Sequence, residues 1–379
     1  MNKLLSKVCS NCVMDSTDID IIFDKDGICD HCNTFRVKTL PNWINGKDQN
    51  KTALALSEKI KKSNKRTEHD CIIGLSGGID SSYLTYFAKE VLGLNPLVFH
   101  VDAGWNTQIA VNNIEKIVDN LGLDLYTEVI NWEEMKDLQL SFIKSGVPHI
   151  DTPQDHAFFA TMYKFASKYN IKYILTGGNI STECIRNPVS WMYYQTDSMQ
   201  LLDIHKKFGK KKLETFPITS ILWHKFWLKY FQGIKVVRLL DLIEYKKEYA
   251  KNLLIEKFGW QPYPQKHFES RFTKFYESYW LPKRFGYDIR KVQFSSLILT
   301  NQMDREEAIS LLKSPTYNEE TINDDISYVA NKLDITKDEL FYYMNQPIKS
   351  YKDYKNMRSI YNLGSYILSL TGSEIGLKR

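Results

Sequence analysis

The sequence of 379 residues has little that points to a membrane or to a secreted framework. No stretch reaches the roughly 18 apolar residues that a membrane-spanning helix needs, and no signal peptide is expected, because the first residues lead into a cysteine pair. The net charge is only +5, which is too small to indicate nucleic-acid binding. Only six cysteines occur, and four of them form two short pairs, unlike a secreted disulfide framework. These shortages favour a globular cytoplasmic protein of two or three domains.

A Walker phosphate-binding loop is also missing, because neither Gly-Lys-Ser nor Gly-Lys-Thr occurs. A different glycine turn is present. The apolar run at 72–75 predicts a short buried strand, Ser76-Gly77-Gly78 breaks it, and a helical pattern follows through residue 91. A strand, a tight turn and a helix start bring unpaired backbone N–H groups and a helix dipole to one point, which suits a phosphate. The alternative is an ordinary glycine-rich turn between a strand and a helix.

The predicted phosphate contacts lie in this turn and in the first turn of the helix. The two glycines lack a Cβ, so the backbone can approach an anion closely. The serines add hydroxyl donors, and Asp80 is a candidate ligand for a magnesium ion that bridges the phosphates. The predicted set is Ser76, Gly77, Gly78, Asp80, Ser81 and Ser82.

Two cysteine pairs near the start of the sequence predict a metal site. Cys9-x-x-Cys12 and Cys29-x-x-Cys32 are separated by 16 residues, and together they supply four thiolates to one tetrahedral ion, most simply zinc. His31 lies inside the second pair and is an alternative ligand. An iron–sulfur cluster and unbound thiols also remain open. A site with four protein ligands has no open position, so we assign this metal no catalytic role.

The remaining pattern predicts strands that alternate with helices. Strands are expected at 97–102, 125–130 and 173–176, with helices between them, and this alternation implies a parallel sheet with right-handed crossovers. From about residue 205 the pattern becomes mostly helical. The predicted division is a zinc module at 1–40, a connector at 41–68, a nucleotide-binding domain at 69–205 and a helical part at 206–379.

Two further turns follow predicted strands, and ligands of open α/β sheets lie at the carboxyl ends of strands. Asp102 and Gly104 follow the second strand, and Gly177 and Asn179 follow the fourth. We therefore expect these four residues near a bound nucleotide. Plain turns at the edge of the sheet are the alternative.

Two stretches of the helical part combine unusual residues. Residues 221–231 are aromatic and basic, which fits a packed helix, a membrane surface or a partner. Residues 266–272 place a base, an acid and a cation close together. For the second stretch, a buried and satisfied charge pair is the alternative to a catalytic role.

The order Ser-Gly-Gly-x-Asp-Ser at 76–81 resembles the PP-loop of the N-type ATP pyrophosphatases. Members of that superfamily split ATP into AMP and pyrophosphate and use the AMP to activate a carbonyl oxygen. Four parts of the chain extend the resemblance to one family, the N-acetyl sugar amidotransferases of bacterial surface-polysaccharide and nonulosonate biosynthesis. They are Cys9–Asp15 with Cys29–Cys32, Ser76–Ser82 with Val101–Gly104, Gln154–Ala157 through Thr176–Asn179, and Lys266–Phe272 continuing to Tyr279–Pro282 and Ser295–Ile298.

This resemblance implies an α/β fold with a parallel open sheet of the PP-loop type, an N-terminal four-cysteine zinc module and a mostly helical C-terminal part. It implies that ATP, with Mg²⁺, adenylates the N-acetyl or carboxylate oxygen of a nucleotide-linked sugar. Ammonia then displaces AMP and leaves an acetamidino or carboxamide group. Gly178 stands where the superfamily usually has histidine, so no role is carried over to that position.

The resemblance also suggests roles for residues and for partners. Asp102 and Gly104 would border the adenosine, and Gly177 and Asn179 would close the nucleotide site. The candidates for catalysis are Asp80, Asp155, His267, Glu269 and Arg271. No glutaminase motif surrounds either cysteine outside the zinc module, so ammonia is expected from separate glutaminase and ammonia-channel subunits. Nucleic acid and membrane spans are not expected.

Two rival functions remain open from the sequence. Some PP-loop tRNA thiolases also carry Cys-x-x-Cys zinc modules, and Cys184 lies five residues after Asn179, where it would be the reactive thiol. The second rival is a non-enzymatic interaction platform on a degenerate nucleotide fold. The intact Ser-Gly-Gly-x-Asp-Ser sequence disfavours the platform.

Overall fold

A five-stranded parallel sheet lies at the centre of the computed structural model, which describes residues 7–43, 49–63, 68–220 and 222–370. The strands are β1 Cys71–Gly74, β2 Pro96–Asp102, β3 Leu125–Val129, β4 Tyr173–Leu175 and β5 Lys235–Val237. Their order across the sheet is β3-β2-β1-β4-β5, and every neighbouring pair is parallel. The predicted open parallel sheet is confirmed.

Helices make up most of the remaining described structure. The α-helices are α1 Asp30–Thr34, α2 Gln49–Ser63, α3 Ile79–Tyr86, α4 Gln108–Leu121, α5 Trp132–Ser145, α6 Thr152–Lys168, α7 Ile180–Glu183, α8 Ser198–Phe208, α9 Lys247–Phe258, α10 Arg271–Phe275, α11 Leu281–Phe285, α12 Arg290–Leu299, α13 Arg305–Leu312, α14 Ile322–Lys332, α15 Lys337–Met344 and α16 Arg358–Leu370. Wider π-type turns cover Phe35–Thr39, Phe87–Val91, Leu222–Phe231 and Tyr276–Trp280, and 3₁₀ turns cover Leu40–Asn42, Leu239–Leu242 and Tyr351–Asp353.

The central strand separates two hydrophobic cores. Successive side chains of a strand point to opposite faces. Accordingly Ile72 belongs to the core that includes Phe99 and Phe272, while Ile73 belongs to the other core, which includes Leu84. Both isoleucines are completely buried. Burial on both faces explains why this strand reads as a continuous apolar run.

The sheet order creates one switch point, at the carboxyl ends of β1 and β4. The chain leaves β1 toward β2 and β3 on one side, and then returns to place β4 on the other side of β1. Ligands of open α/β sheets bind in the crevice that such a reversal opens. The turns at Ser76 and Gly177, which follow β1 and β4, therefore meet where a ligand is expected.

Three parts of the structure differ from the sequence prediction. Strand β5, which was not expected, extends the sheet although it lies beyond residue 205. Its three residues carry too little pattern to be recognised. Helix α5 was not predicted either, and the mostly helical pattern expected after residue 205 is interrupted between the turn Tyr351–Asp353 and α16. The division of the chain into domains stays a prediction.

The aromatic stretch Leu222–Phe231 is packed only in part. Leu228 is buried, whereas Tyr230 and Phe231 are exposed. Residue 221 lies outside the described residues. None of the described helices combines the length and the apolar character that crossing a membrane requires.

Candidate active site

The loop after β1, Ser76–Ser82, is the turn for which the sequence predicts phosphate binding, and it is called the phosphate loop below. Helix α3 begins at Ile79 with Gly78 as its N-cap. Gly77 has a φ of +83°, and a Cβ there would lie 2.7 Å from the carbonyl oxygen of Ala110, so only glycine fits. The Gly77 carbonyl accepts a hydrogen bond from Trp260 Nε1 at 3.0 Å and another from the Tyr263 hydroxyl at 3.4 Å. Trp260 and Tyr263, which lie far from the loop in the sequence, therefore hold its backbone in place.

Glu269 lies directly on this loop. The Ser76 hydroxyl donates to Glu269 Oε1 at 3.1 Å, and a Cβ on Gly78 would lie 2.7 Å from that same oxygen. The backbone after β2 holds Glu269 in place, because Thr107 N–H donates to the Glu269 carbonyl at 2.9 Å. A short antiparallel bridge between Asn106 and Ser270 continues this pairing. Tertiary pairing thus brings a carboxylate 193 residues away onto the phosphate loop.

Asp80 points from the first turn of α3 into an ion-paired cluster. Lys266 Nζ lies 2.9 Å from its carboxylate, and the Tyr245 hydroxyl donates to it at 2.5 Å. Burial opposes the ionisation of Asp80, but the charge of Lys266 and these two hydrogen bonds outweigh it and lower the pKa of the carboxyl. Lys266 also pairs with Glu183 at 2.6 Å. The carboxylate is ionised, as a magnesium ligand must be, and the magnesium role stays a prediction.

A cavity of about 270 Å³ opens in front of the phosphate loop. Ser76, Gly78 and Ser81 line it, together with three lysines, Lys247, Lys251 and Lys266. Cations beside a helix start suit a bound polyphosphate. Sequence reasoning missed Lys247 and Lys251, because they lie on α9 without a local motif.

A larger cavity of about 520 Å³ adjoins the first at the carboxyl ends of β1, β2 and β4. Its floor is apolar and includes Phe99, Phe158 and Phe159. The two cavities share one wall, which consists of Ser76, Gly177, Glu183, His267 and Glu269. A molecule with its phosphates on the loop therefore reaches the larger cavity past Glu269.

The far side of the larger cavity carries an acidic group of side chains. His149 Nε2 lies 3.3 Å from an Asp155 oxygen, and Asp151 accepts a hydrogen bond from the Thr273 hydroxyl at 2.7 Å. Burial and the neighbouring carboxylate of Asp155 raise the pKa of Asp151 to about 7. Of the predicted residues, Asp155 belongs to this group, whereas His149 and Asp151 were not singled out from the sequence.

His267 lies in the shared wall with an unusual backbone. Its φ is +67°, and Nδ1 contacts Glu277 Oε1 at 2.9 Å. Burial opposes protonation of the imidazole, but the charge and hydrogen bond of Glu277 prevail and raise the pKa of His267 to about 9. At neutral pH the ring is therefore a cation and cannot accept a proton. The raised pKa of His267 therefore favours Glu269 over His267 as the proton acceptor.

Arg271 is not brought to either cavity. Its guanidinium pairs with Asp325 at 3.4 Å and stacks on Tyr328, with 3.7 Å from Cζ to the ring centre. Ser270 is the N-cap of α10, so the helix begins at Arg271 and turns this side chain away from Glu269. Arg271 therefore holds α10 against α14, and we do not retain it as a substrate ligand.

The other predicted nucleotide contacts shape their turns. Asp102 Oδ1 accepts from the N–H of Gly104 at 2.7 Å, and a Cβ on Gly104 would lie 2.6 Å from the Trp132 ring. Asn179 is buried and caps α7 by accepting from Thr182 N–H at 2.8 Å. These three predicted residues do not line the two cavities described above, whereas Gly177 lines both.

Ser82 also differs from the other serines of the loop. Its side chain is completely buried, and its hydroxyl has no hydrogen-bond partner among the described residues. Ser76 and Ser81 line the cavity in front of the loop, and Ser82 does not. A phosphate contact for Ser82 stays a prediction.

The four paired cysteines form a buried cluster on the side of the helical part. Their sulfurs are separated by 3.8 Å for Cys9 and Cys32, 3.7 Å for Cys12 and Cys29, and 3.6 Å for Cys29 and Cys32. A tetrahedral zinc site with Zn–S bonds of about 2.3 Å has sulfurs about 3.8 Å apart, so the residues fit that ion. The imidazole of His31 contacts Asp18 instead of the cysteines, with Nε2 at 2.9 Å from Asp18 Oδ2. The cluster can hold a metal, and its identity as zinc stays a prediction.

The cysteine cluster is joined to the wall of the active site through α12. Arg305 donates to the carbonyl oxygens of Cys9 at 2.9 Å and Cys12 at 3.1 Å, and Val13 N–H donates to Ser295 on α12 at 3.2 Å. The next residue, Ser296, accepts from Ile185 N–H at 3.0 Å. Helix α12 thus connects the cysteine module to the segment that follows Gly177.

Cys184 does not occupy the position of a catalytic thiol. It is half-buried, its sulfur contacts the Ser296 carbonyl oxygen at 3.7 Å, and burial raises its pKa to about 12. Of the described residues that line the two cavities, none is a cysteine. This arrangement disfavours the thiolase alternative.

The sheet order and the loop at its switch point indicate the type of fold. Residues 55–178 match the family model described as asparagine synthase. This part of the chain therefore has a fold of the PP-loop type, as the resemblance implied.

Residues 269–367 match a second family model, described as the LPS biosynthesis protein WbpG-like, C-terminal domain. The chain fits the N-acetyl sugar amidotransferase family, since it joins these two domains in one polypeptide. The second match begins at Glu269, the residue that contacts the phosphate loop.

Curated relatives match over shorter stretches. A tRNA-specific 2-thiouridylase from Fusobacterium nucleatum is 29% identical over 123 residues, which are 30% of this chain and 34% of that protein. A glutamine-hydrolysing GMP synthase from Thermosipho africanus is 28% identical over 147 residues, which are 36% of this chain and 27% of that protein. The chain therefore spans about a third of the length of the curated relatives it matches.

Solved structures give more distant similarities. An NAD⁺ synthetase from Burkholderia pseudomallei is 14% identical with a TM-score of 0.38, covering 75% of this chain and 94% of that one. An NH₃-dependent NAD synthetase from Campylobacter jejuni is 14% identical with a TM-score of 0.29, covering 58% of this chain and 100% of that one. Similarities this distant carry no functional argument.

Proposed function

We propose that the protein is an ATP-dependent amidotransferase that acts on an N-acetyl or carboxylate group of a nucleotide-linked sugar in surface-polysaccharide biosynthesis. One observation carries the proposal. The phosphate loop and the larger cavity share a wall that contains Ser76 and Glu269. A carbonyl oxygen bound in the larger cavity can therefore meet the α-phosphate of an ATP whose pyrophosphate end lies on the loop.

Two reactions follow in sequence. The acceptor oxygen attacks the α-phosphorus, the bond to pyrophosphate breaks, and an adenylated acceptor forms. Ammonia then attacks the acceptor carbon, and the C–O bond breaks with its electrons going to AMP. Without adenylation this step is blocked, because an amide oxygen is a very poor leaving group, whereas AMP is a good one.

The residues of the site would divide this work. The loop and the three lysines neutralise the charge on the departing pyrophosphate, and a magnesium ion at Asp80 would add to this charge stabilisation. Glu269 accepts the proton that nitrogen loses as the C–N bond forms. The cysteine cluster, as a zinc site, has a structural role. Separate subunits would supply the ammonia.

The test is a turnover assay with MgATP, ammonium chloride and a panel of nucleotide-linked N-acetyl and uronic acid sugars, read by mass spectrometry. AMP formation together with replacement of one sugar oxygen by NH supports the proposal and identifies the acceptor. AMP formation only with bulk tRNA and a sulfur source would contradict it. A Cys184→Ser variant separates the two outcomes, because amidotransfer does not need this thiol.

A further inference from the structure

The acidic side of the larger cavity contains three carboxylates, from Asp151, Asp155 and Glu277. Asp155 is paired with His149, and Glu277 is paired with His267. Asp151 is different, because its hydrogen-bond partners among the described residues are neutral. These are the Thr273 hydroxyl at 2.7 Å and the Gln154 amide at 3.3 Å. Asp151 is 3% exposed and lines the cavity.

A second and independent feature of the same cavity points to a ligand. Tyr276 lines the cavity and is 1% exposed, and its hydroxyl has no hydrogen-bond partner among the described residues. Leaving a buried hydroxyl unpaired costs about 1–3 kcal/mol, so such groups usually serve a bound molecule. The ring stacks on His149, with centroids 5.8 Å apart. Burial and the charges of Glu277, Asp151 and Asp155 raise the pKa of Tyr276, so the hydroxyl stays protonated.

We propose that Asp151 and Tyr276 form a subsite for ammonium, and that Asp151 is the catalytic residue that accepts its first proton. This inference rests on the proposed amidotransfer. Ammonium is a small cation with only donors. It complements a carboxylate whose hydrogen-bond partners among the described residues are neutral, with His149 acting on it only through its charge, and a hydroxyl oxygen that no described residue contacts. His149 pairs with Asp155 and His267 pairs with Glu277 in this cavity, so Asp151 is the carboxylate left to hold a further cation.

The proton balance assigns separate roles to two carboxylates. One N–H bond of ammonium breaks, its electron pair stays on nitrogen, and an O–H bond forms on Asp151. The released ammonia attacks the adenylated carbon, and Glu269 on the opposite wall takes the second proton as AMP leaves. Burial raises the pKa of Asp151 to about 7, where a proton acceptor works well at neutral pH.

The first experiment measures ammonium binding without any acceptor. ¹⁵N-labelled ammonium chloride is titrated onto the full-length protein, and the line width of the ammonium signal is followed by NMR at constant ionic strength. We expect broadening that Asp151→Asn abolishes and that Tyr276→Phe weakens. Asp119→Asn, a surface change on α4, is the matched control and should behave as wild type. Equal displacement by sodium or potassium chloride would overturn an ammonium subsite.

The second experiment uses the acceptor found in the turnover assay. Asp151→Asn should raise the KM for ammonium about tenfold or more, the size expected for a lost hydrogen bond to a charged group, and leave the KM for ATP unchanged. Tyr276→Phe should raise the KM for ammonium less and should not reduce thermal stability, because its hydroxyl bonds no described residue. An unchanged KM for ammonium in both variants would overturn the assignment. If no sugar supports AMP formation, the proposed function fails, while the NMR result still decides the subsite.

Discussion

The two halves of the candidate site differ in their ionisable groups and in their origin. The phosphate half combines one contiguous loop, Ser76–Ser82, with three lysines around a cavity of about 270 Å³. The acidic half is assembled from His149, Asp151 and Asp155 on one segment and from Tyr276 and Glu277 on another. A contiguous loop can bind phosphate in many proteins. The assembled half is where this chain can select its acceptor and its nucleophile.

This contrast explains how much of the site the sequence could predict. The loop and the paired cysteines are local motifs, so their spacing alone indicated their chemistry. Asp151 and Tyr276 have no motif, because their role depends on tertiary packing. Packing gives Asp151 only neutral hydrogen-bond partners among the described residues and gives the Tyr276 hydroxyl none. The sequence placed Arg271 beside Glu269, but a helix that begins at Arg271 sends the two side chains in different directions.

The fold shows the same division between local and non-local signals. Strands β1, β2 and β4 were predictable because burial on both faces makes them continuous apolar runs. Strand β5 is short and partly exposed, and it forms only because β4 offers a free edge, with Tyr173 opposite Lys235. The bridge between Asn106 and Ser270, which brings Glu269 to the loop, joins residues too far apart for any sequence pattern to reveal.

The largest effect is expected where the two halves meet. Glu269→Gln keeps an oxygen for the Ser76 hydroxyl but cannot accept a proton. We expect kcat to fall about 10²–10⁴-fold, the usual contribution of a general base, with little change in the KM for ATP. Steady-state AMP formation with the identified acceptor measures this. Arg271→Gln is the matched control, two residues away and outside both cavities, and should leave kcat near wild type. A fully active Glu269→Gln enzyme would refute the division of roles.

The cysteine cluster should stabilise the fold without touching either half. Cys12→Ser removes one of four ligands, and we expect loss of bound metal and a decrease in the free energy of unfolding of roughly 4 kcal/mol or more. Elemental analysis and urea unfolding measure the two effects. Cys184→Ser removes a cysteine outside the cluster and should keep one metal ion per chain. Full metal content in Cys12→Ser would contradict a four-thiolate site.

The shape of the phosphate loop is tested by a pair of glycines. Gly77→Ala meets the Ala110 carbonyl at 2.7 Å and also strains a φ of +83°. Gly122 has a φ of +56° with nothing within 4 Å, so Gly122→Ala carries only the backbone strain. We expect Gly77→Ala to weaken ATP binding about 100-fold and Gly122→Ala to leave it unchanged, although both lose about 1–2 kcal/mol of stability from the left-handed conformation. Equal ATP affinities by calorimetry would show that the loop does not hold the phosphates.

The smallest effect is a pH dependence in the shared wall. The pKa of His267 is raised to about 9, above its ordinary value of about 6.5. The ion pair with Glu277 therefore stabilises the fold fully below pH 6.5, and this stabilisation is lost as the pH rises through 9. The imidazole is 39% exposed, so we expect about 1 kcal/mol or less.

His267→Asn isolates this contribution, because asparagine tolerates the φ of +67° but carries no charge. Urea unfolding of both proteins is compared from pH 6 to pH 10. The stability difference between wild type and variant should shrink as the pH increases. A difference that stays constant over this range would mean that His267 is not a cation in the folded protein.

The most direct test of the central claim follows one oxygen atom. The acceptor identified in the turnover assay is prepared with ¹⁸O in the group that reacts, and the products formed with MgATP and ammonium chloride are analysed by mass spectrometry. Adenylation at the wall between the two cavities predicts that the label leaves the sugar and appears in the phosphate of AMP. Unlabelled AMP, or ADP in place of AMP, would contradict activation by adenylation.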